Sequence, residues 1–367
     1  MNSSFDTIIV GGGLVGAAVA CGLTAKGNSL LVIDGSDQDY RASRGNFGLV
    51  WVQGKGADCP AYARWSGMAA QAWPAFEQGL REATGIDIGY QQTGGYDFCL
   101  NREEWDARAW EMEQVHAHTG GDFVYEMLDN TELRKRIPQV SPDVPGASYS
   151  PQDGHANPLY LLRALQQQMQ QLGCEYVSGQ AVTSVRREQD SFVVESNSQR
   201  YHCERVVLCA GLSNQRLAQH LGMTVPVEPI RGQLLITERV EPFLPCATLQ
   251  VRQTQEGTLQ IGDSHESVGF DESTTLDVIT RLAARAVRIF PHLSTVQLNR
   301  AWGALRVMTP DGLPVYHQSS RYPGAYAVSC HSGVTLAALH ATEIANWIMG
   351  DKPHDLINEF SAARFDV

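Results

Sequence analysis

The sequence contains no two cysteines close enough to form a metal-binding pair. Its eight cysteines are scattered through 367 residues, and none follows the Cys-x-x-Cys spacing. Because zinc sites and 2Fe–2S clusters take thiolates from such close pairs, the sequence predicts neither kind of site. Several cysteines lie in apolar runs, and free buried thiols are typical of a reducing compartment.

Positive charge is also scarce. The chain has 28 Lys and Arg against 40 Asp and Glu, a formal net charge of −12. No basic stripe stands out, so the sequence argues against a nucleic-acid partner. The acidic balance would attract cationic substrates, although solubility is the more ordinary explanation of such a charge.

Long hydrophobic runs are absent except at residues 7–25, which are uncharged and largely apolar. This run is about long enough to span a bilayer, and it also resembles the apolar part of a signal peptide. However, Asp6 precedes it where a signal peptide would carry basic residues, and its glycines follow a phosphate-binding pattern. We therefore expect a soluble, cytoplasmic protein without a membrane span. No repeat or low-complexity linker divides the chain.

The same N-terminal run predicts a β–α–β unit. Residues 6–10 form a short β-branched strand, residues 14–26 an Ala- and Leu-rich helix that stops at Gly27, and residues 30–34 a second buried strand. The turn between the first strand and the helix reads Gly11-Gly12-Gly13-Leu14-Val15-Gly16, a GxGxxG motif.

Each glycine of this motif has a physical role in dinucleotide binding. Gly11 permits the tight turn, Gly13 lets the backbone approach a pyrophosphate, and Gly16 lets the helix pack closely on the strand. The helix N-terminus, at Leu14 and Val15, offers free N–H groups to phosphate. Asp34, about twenty residues on, is placed to bind ribose hydroxyls and disfavours NADP. The alternative is a purely structural glycine-rich turn.

The segment after Asp34 favours FAD over NAD. An NAD-binding half usually continues as regular β–α–β units, whereas residues 35–56 form a long glycine-rich loop that can wrap a second phosphate and the flavin ring. A late buried strand at residues 205–209 ends in Ala210-Gly211 and would return the backbone to the same cofactor. The loop residues expected at the cofactor are Gly35, Ser43, Arg44, Asn46, Phe47 and Gly48.

The remaining pattern predicts an α/β protein with two interleaved domains. Helices are expected over residues 59–84, 102–118, 131–136, 158–172, 274–290 and 333–349, and a strand pattern over residues 86–100. We expect a Rossmann-type FAD-binding domain built from residues 1–85, 150–225 and 300–367. An α+β substrate domain with antiparallel sheet would comprise residues 86–149 and 226–299.

Taken together, six stretches resemble the DAO family, which contains glycine, sarcosine and D-amino-acid oxidases. They are IIVGGGLVGAAVA, SRGNFG, VVLCAGLSN, PIRGQLL, WGALRVMTPDGLPV and CHSGVTLAALHATEIA. The resemblance spans nearly the whole chain. It implies a two-domain FAD fold in which substrate lies on one face of the isoalloxazine ring.

The resemblance also implies roles for individual residues. Arg306 matches the arginine that pairs with the substrate carboxylate, as a guanidinium can do bidentately; an interface salt bridge is the alternative. The segment His331-Ser332-Gly333-Val334-Thr335 resembles the one whose backbone N–H groups face the flavin pyrimidine. Val182 matches a backbone contact to adenine.

Three residues are weaker candidates for the catalytic region. Trp51 could form a wall of the substrate site, although aromatic residues are more often core. Arg252 is expected near the substrate or, equally, at the surface. His331 has support from its motif, but the sequence shows no convincing catalytic base.

Two departures from the family's patterns are informative. Residues 304–309 contain no cysteine, whereas monomeric sarcosine oxidases attach the flavin covalently there; FAD is therefore expected to be non-covalent. Glycine and D-amino-acid oxidases carry an arginine where this chain has Ser332-Gly333. The stretch NFGLVWVQ, residues 46–53, resembles catalytic subunits of opine oxidases and D-hydroxyproline dehydrogenases. That resemblance implies a partner subunit carrying a second flavin or an iron–sulfur cluster.

The sequence thus predicts FAD-dependent oxidation of the C–N bond of an amino acid, including opine-like, sarcosine-like and D-hydroxyproline-like compounds. A hydride would pass from the α-carbon to flavin N5 and leave an imine that water hydrolyses. One alternative is an FAD dehydrogenase acting on a 2-hydroxy acid or glycerol phosphate. The other is a non-catalytic flavoprotein subunit. The substrate itself and the electron acceptor are not encoded in these motifs.

The missing cysteine generates a direct test of how the cofactor is attached. Acid precipitation of the purified protein is expected to release yellow FAD into the supernatant, because no thiol near Thr309 can bond the flavin. The absorption spectrum and chromatography of the supernatant measure this. Colour retained in the pellet, or FMN in the supernatant, would contradict the prediction.

Overall fold

The computed structural model describes residues 4–36 and 40–365. The strands are β1 Ser4–Val10, β2 Leu30–Ile33, β3 Leu49–Val50, β4 Gly95–Cys99, β5 Glu126–Asp129, β6 Gly146–Ser150, β7 Gly154–His155, β8 Glu175–Val177, β9 Val182–Glu188, β10 Ser191–Ser196, β11 Arg200–Leu208, β12 Glu228–Arg239, β13 Ala247–Thr248, β14 Val251–Gln253, β15 Thr258–Ile261, β16 Leu298–Met308, β17 Val315–Gln318 and β18 Ala325–Ser329. The helices are α1 Leu14–Thr24, α2 Pro60–Thr84, α3 Arg102–His118, α4 Asn130–Arg136, α5 Pro158–Gln171, α6 Asn214–Gln219, α7 Leu276–Ile289, α8 Ala337–Leu339, α9 Ala345–Ile348 and α10 Asp355–Glu359. A π-helical turn, His340–Ile344, joins α8 to α9.

The largest sheet has eight strands and contains the predicted β–α–β unit. Its main path runs β17-β18-β11-β1-β2-β8, and β10 and β9 continue from β11. β1 pairs in parallel with β2 and with β11, so that Val10 lies beside both Ile33 and Leu208. The carboxyl ends of the three strands therefore meet at one edge, which is where ligands bind in open α/β sheets.

Two smaller sheets form the other half of the molecule. One has the order β14-β15-β12-β16 and is antiparallel throughout, while the other has the order β13-β4-β6-β5. The long β12–β16 pair sets Gly232 opposite Ala304 and Ile230 opposite Arg306. β16 begins just before the expected domain boundary at residue 300, and its full length belongs to this antiparallel sheet.

Three apolar cores hold these layers together. One lies between the large sheet and the helices α1, α2, α5 and α8, and it includes the fully buried Trp65 and Trp73. A second covers the opposite face of the same sheet, around Ile8 and Phe192. The third fills the space between the two smaller sheets and α7, around Phe98 and Phe290. Both faces of the large sheet are thus buried, as its central parallel strands require.

The predicted α/β fold class is confirmed, but three elements differ from expectation. Within residues 86–100 only β4 forms, because Gly89 and Gly94 adopt positive φ angles of 62° and 86° that interrupt an extended strand. The last helix begins at Ala337 rather than near residue 333. The loop over residues 35–58 contains the short strand β3, and its residues 37–39 lie outside the described part of the chain.

The apolar N-terminal run is divided between β1, the glycine turn and the eleven-residue helix α1. Within residues 4–36 and 40–365, no helix has both the length and the apolar character needed to cross a bilayer.

Candidate active site

The glycine turn after β1 builds the first wall of the site. Gly11 has a φ of 106°, which a side chain would strain, and its N–H donates to the carbonyl of Ile33 at 2.8 Å. A Cβ on Gly16 would overlap the carbonyl oxygen of Gly11, so glycine there permits the close contact between helix and strand. At the start of α1, the N–H of Leu14 donates to Ser43 Oγ at 2.9 Å. The loop after β2 therefore folds back over the helix N-terminus.

Asp34 stands at the end of β2 in a network of donors. Its carboxylate forms an ion pair with Arg41 and accepts a hydrogen bond from the hydroxyl of Tyr176 at 3.2 Å. The N–H of Gly35 donates to its other oxygen at 3.1 Å. Asp34 is thereby held at the mouth of the cavity described next. Sequence reasoning missed Arg41, whose only signal was a basic residue seven positions after the acidic one.

A cavity of about 570 Å³ follows this edge of the sheet. Most of the residues predicted to bind the cofactor line it: Gly11, Gly13, Leu14, Val15, Asp34, Gly35, Ser43, Arg44, Asn46, Val182, Ala210, Gly211 and Gly333. Gly16 packs beneath it. Gly48 lies outside the lining, and its N–H donates to Asn46 Oδ1 at 2.7 Å.

Asn214, which the sequence analysis did not single out, ties two strand ends together under this cavity. It is fully buried, and its side-chain amide donates to the carbonyl of Leu208 at 3.0 Å and to Ser329 Oγ at 2.8 Å. Its carbonyl oxygen accepts from the N–H of Ala210 at 2.8 Å. The turn after β11 is therefore fixed to β18. The Asn in VVLCAGLSN was a visible signal, but its partner strand lies over a hundred residues away.

The segment 331–335 closes the far end of the cavity. Trp73 Nε1 donates to the carbonyl of Thr335 at 2.9 Å, and the N–H of Trp51 donates to Thr335 Oγ1 at 3.1 Å. Among the described residues, none accepts a hydrogen bond from the backbone N–H groups of Gly333, Val334 or Thr335. Buried N–H groups are rarely left without an acceptor. Three such donors in a row fit the electron-rich edge of a flavin ring.

A second cavity, of about 400 Å³, adjoins the first. The two share part of their lining: Ala42, Asn46, Leu305, Val307, Cys330 and His331. Six further residues that the sequence analysis had singled out line the second cavity: Phe47, Trp51, Arg306, Ser332, Val334 and Thr335. It lies where β12 and β16 approach the 331–335 segment. A molecule in the second cavity would therefore lie next to one in the first.

Arg306 projects from β16 into this second cavity. Its Nη1 donates to the carbonyl of Ser264 at 2.6 Å. No described carboxylate lies within 4.0 Å of its guanidinium, although Asp263 and Glu266 act on it from farther away. Burial lowers the pKa of Arg306, but a guanidinium remains charged at any physiological pH. The structure thus presents a partly buried cation without a close counter-ion.

Glycine in β12 makes the space for this guanidinium. A Cβ on Gly232 would lie 2.5 Å from Arg306 Nη1 and 2.7 Å from Cζ. Such distances are too short for real contacts, so any side chain at position 232 would displace the arginine head. This explains the glycine of PIRGQLL, which sequence reasoning had used only as part of a motif.

His331 lies between the two cavities. Its imidazole is accessible from them although it sits deep in the protein. Burial, and then the nearby charges of Lys55 and Arg306, hold its pKa well below the usual value. The ring is consequently neutral throughout the physiological range, so it is a hydrogen-bonding group and a poor base.

The other two weaker candidates occupy different places. Trp51 is buried and forms part of the second cavity's wall. Arg252 lines neither cavity; its guanidinium donates to Gln260 Oε1 at 2.9 Å and contacts His155 Nδ1 at 3.3 Å. Burial lowers the pKa of Arg252 to about 10 and that of His155 to about 3.

The fold and these cavities define a flavoprotein, and comparison with known proteins agrees. Residues 6–347 match the DAO family, described as FAD dependent oxidoreductase. The chain therefore belongs to the DAO family of FAD-dependent oxidoreductases, which confirms the prediction from sequence. The enzyme's cofactor is FAD, and the free N–H groups of residues 333–335 fit it.

Within this family, the chain is similar to several individual proteins. The chain is 44% identical over 363 residues to the B subunit of opine oxidase from Rhizobium meliloti, covering 99% of this chain and 98% of the relative. It is 43% identical over 361 residues to the B subunit of opine oxidase from Agrobacterium tumefaciens (strain Ach5), covering 98% and 97%. In fold it is similar to glycine oxidase of Geobacillus kaustophilus, with a TM-score of 0.88 over 99% of both chains at 22% identity.

The glycine turn provides a test of where the cofactor lies. We expect Gly13→Val to abolish FAD binding, because a Cβ there would already lie 2.8 Å from Ser43 Oγ and the branched methyl groups would enter the cavity. The ratio of flavin to protein absorbance in the purified variant measures the occupancy.

A matched glycine controls for general damage to the fold. Gly79 lies in α2, and a methyl group added there would have nothing within 4 Å, so Gly79→Ala should keep full FAD occupancy. A Gly13→Val protein with full occupancy and a normal flavin spectrum would show that the pyrophosphate lies elsewhere.

Proposed function

We propose that this enzyme oxidises the C–N bond of an N-substituted or cyclic amino acid and that Arg306 binds the substrate carboxylate. The observation that carries the proposal is the guanidinium of Arg306, which lines the second cavity without a described carboxylate within 4.0 Å. A charge removed from water needs an anionic partner, and a carboxylate matches the two-pronged donor geometry of arginine. The names of the two relatives, both opine oxidase subunits, support a substrate of the amino-acid type.

The residues of the second cavity orient the substrate. With its carboxylate on Arg306, the α-carbon of a bound amino acid would lie between this residue and the shared boundary at Leu305 and His331. FAD, when bound, supplies the acceptor for the hydride that leaves this carbon. Apolar residues such as Trp51 and Val334 limit the access of water. The protein therefore contributes mainly position and electrostatics.

The lowered pKa values of the two histidines in the second cavity favour an amine over an alcohol as the substrate. Oxidation of a hydroxyl group requires a base for a proton of very high pKa, whereas a neutral amine can form C=N with its own lone pair. Both histidines of the second cavity are weak bases: burial and nearby charges hold the pKa of His331 well below its usual value, and burial and Arg306 lower that of His265. Oxidation of a 2-hydroxy acid or glycerol phosphate therefore has less support.

We also propose that the chain works with a partner subunit. The support is the subunit designation of its relatives, with which it shares nearly its full length. The described cysteines are all free, and the described part of the chain contains no group of three or more His, Cys, Asp or Glu side chains that could hold a metal ion. An iron–sulfur cluster, if the complex contains one, would belong to the partner. The expectation of a cytoplasmic location stays a prediction.

Replacement of Arg306 tests the carboxylate site. Arg306→Leu should lower kcat/KM by roughly 30-fold to several thousand-fold, since a desolvated charge pair contributes about 2–5 kcal/mol. Lysine should restore only part of this loss, because a point charge cannot form the bidentate contact. Anaerobic flavin bleaching with a panel of amino acids, opines and 2-hydroxy acids identifies the substrate, and steady-state kinetics give kcat/KM.

Two further variants separate a binding role from a structural one. Arg300→Leu removes an exposed arginine from the same strand and should change neither kinetics nor flavin content. Gly232→Ala keeps Arg306 but displaces its head, and should reproduce much of the loss. Unchanged kcat/KM in Arg306→Leu would reject the assignment, and loss of FAD or of folding would indicate a structural role through the hydrogen bond to Ser264 instead.

The partner proposal predicts a chain that is reduced by substrate but reoxidised poorly. Expressed alone, it should turn over much faster with an artificial electron-accepting dye than with oxygen, because its natural acceptor lies in another subunit. Oxygen consumption and dye reduction measure the two rates, and size-exclusion chromatography gives the assembly state. A monomer that turns over rapidly with oxygen would be incompatible with the proposal.

A further inference from the structure

We infer that Lys55 forms a second anion-binding point in the substrate cavity, so that the cavity takes secondary amines with a carboxylate on each side of the nitrogen. This inference rests on the proposed function. Lys55 lines the same cavity as Arg306. Its ammonium group donates to Ser332 Oγ and lies 3.4 Å from the hydroxyl of Tyr62. Lys55 is one of only four lysines in the sequence.

The contacts of Lys55 leave its charge uncompensated. No described carboxylate lies within 4.0 Å of Nζ, and its hydrogen-bond partners are two neutral hydroxyl groups. Arg108, which lines the same cavity, shows the contrast: it forms ion pairs with Asp97 and with Glu111, the latter at 2.9 Å. The positive charge that remains available in this cavity is therefore that of Lys55 and Arg306.

The acidic groups that line the cavity lie away from Lys55. Glu111 is paired with Arg108, whereas Asp263 lies 3.8 Å from His265 and acts on Arg306 from farther away. Both carboxylates are partly exposed. Neither lies within ion-pair distance of Lys55, so neither neutralises it.

Buried hydrogen bonds fix the backbone of the loop that carries Lys55. Asp153 is fully buried and accepts hydrogen bonds from the N–H of Val52 and from Gln53 Nε2, each at 2.6 Å. The same Gln53 amide group donates to the carbonyl of Gly95 at 2.9 Å and accepts from Ser148 at 2.5 Å. A loop with this many buried contacts presents Lys55 in a defined position.

The two cations share one cavity with His331. Lys55, Arg306 and His331 all line it, and His331 lies close enough to both charges for each to disfavour its protonation. A substrate that contacts both cations would therefore occupy the cavity that His331 shares with the first one. A volume of about 400 Å³ is within the range of about 300–1,000 Å³ typical of small-molecule sites. A dicarboxylate with a central nitrogen fits this arrangement of charges.

The experiment compares ligands that differ by one charge. Diglycolate resembles a dicarboxylate secondary amine but has an ether oxygen in place of nitrogen, so it binds without being oxidised; its monoamide has the same shape and one carboxylate fewer. Titration of the FAD-loaded protein, followed by the change in flavin absorbance, gives Kd for each. The wild-type protein should bind the diacid roughly 10- to 100-fold more tightly than the monoamide.

Lys55→Met should remove most of this preference, and Lys55→Arg should retain much of it. Lys352 is exposed between α9 and α10, so Lys352→Met is the matched control and should keep the wild-type ratio. If Lys55→Met loses FAD, Lys55→Gln, which keeps a donor for Ser332, provides the same comparison.

The outcomes distinguish this inference from the proposed function. The inference would be overturned if the wild-type protein bound the diacid and the monoamide with equal affinity. It would also be overturned if Lys55→Met lost affinity equally for both ligands, since the lysine would then act on the flavin or on its own loop. Anaerobic bleaching with iminodiacetate tests C–N oxidation separately. A protein that prefers the diacid through Lys55 but is not bleached by any amine would retain the second anion site and lose the proposed reaction.

Discussion

The parallel pairing of β1 with both β2 and β11 is the constraint on which the rest of the structure depends. It brings the carboxyl ends of three strands to one edge, so that the glycine turn, Asp34 and the Ala210-Gly211 turn meet although they are far apart in sequence. The hydrogen bonds from Gly11 to Ile33 and from Cys209 to Val10 continue this register beyond the strands. Any shift in pairing would separate the walls of the first cavity.

The second cavity contains two cations without a close counter-ion, although the whole molecule is acidic. The chain carries a formal net charge of −12, yet no described carboxylate lies within 4.0 Å of Lys55 Nζ or of the Arg306 guanidinium. Arg231 is neutralised by Glu266 and Asp271 behind β12, and Arg108 by its own carboxylates. Lys55 and Arg306 remain. A carboxylate placed close to Lys55 or Arg306 would thus be attracted even in an acidic protein, because screening makes nearby charges count more than distant ones.

The predictions that agreed with the structure rest on sequence patterns a few residues long. Where a residue carries no such pattern, the sequence did not reveal its position or its partner. The GxGxxG turn and the residues after β11 carry patterns that span only a few positions. Lys55 carries none, and the motif that contains Asn214 does not reveal its partner strand, because both residues act through a partner from another part of the chain. Arg252 was expected near the substrate or at the surface, and the fold instead buries it beside His155, outside both cavities.

The sequence by itself determined the Rossmann unit, the family and the identity of the cofactor, because these depend on short-range geometry: a turn without side chains, a helix N-terminus and an acidic residue one strand later. Only the tertiary structure decided which charges remain without counter-ions. Whether an arginine or lysine is available to a substrate depends on every carboxylate within a few ångströms, and those carboxylates come from strands and helices far apart in the sequence. The pattern of residues along the chain contains the charges, and the fold decides which of them are paired.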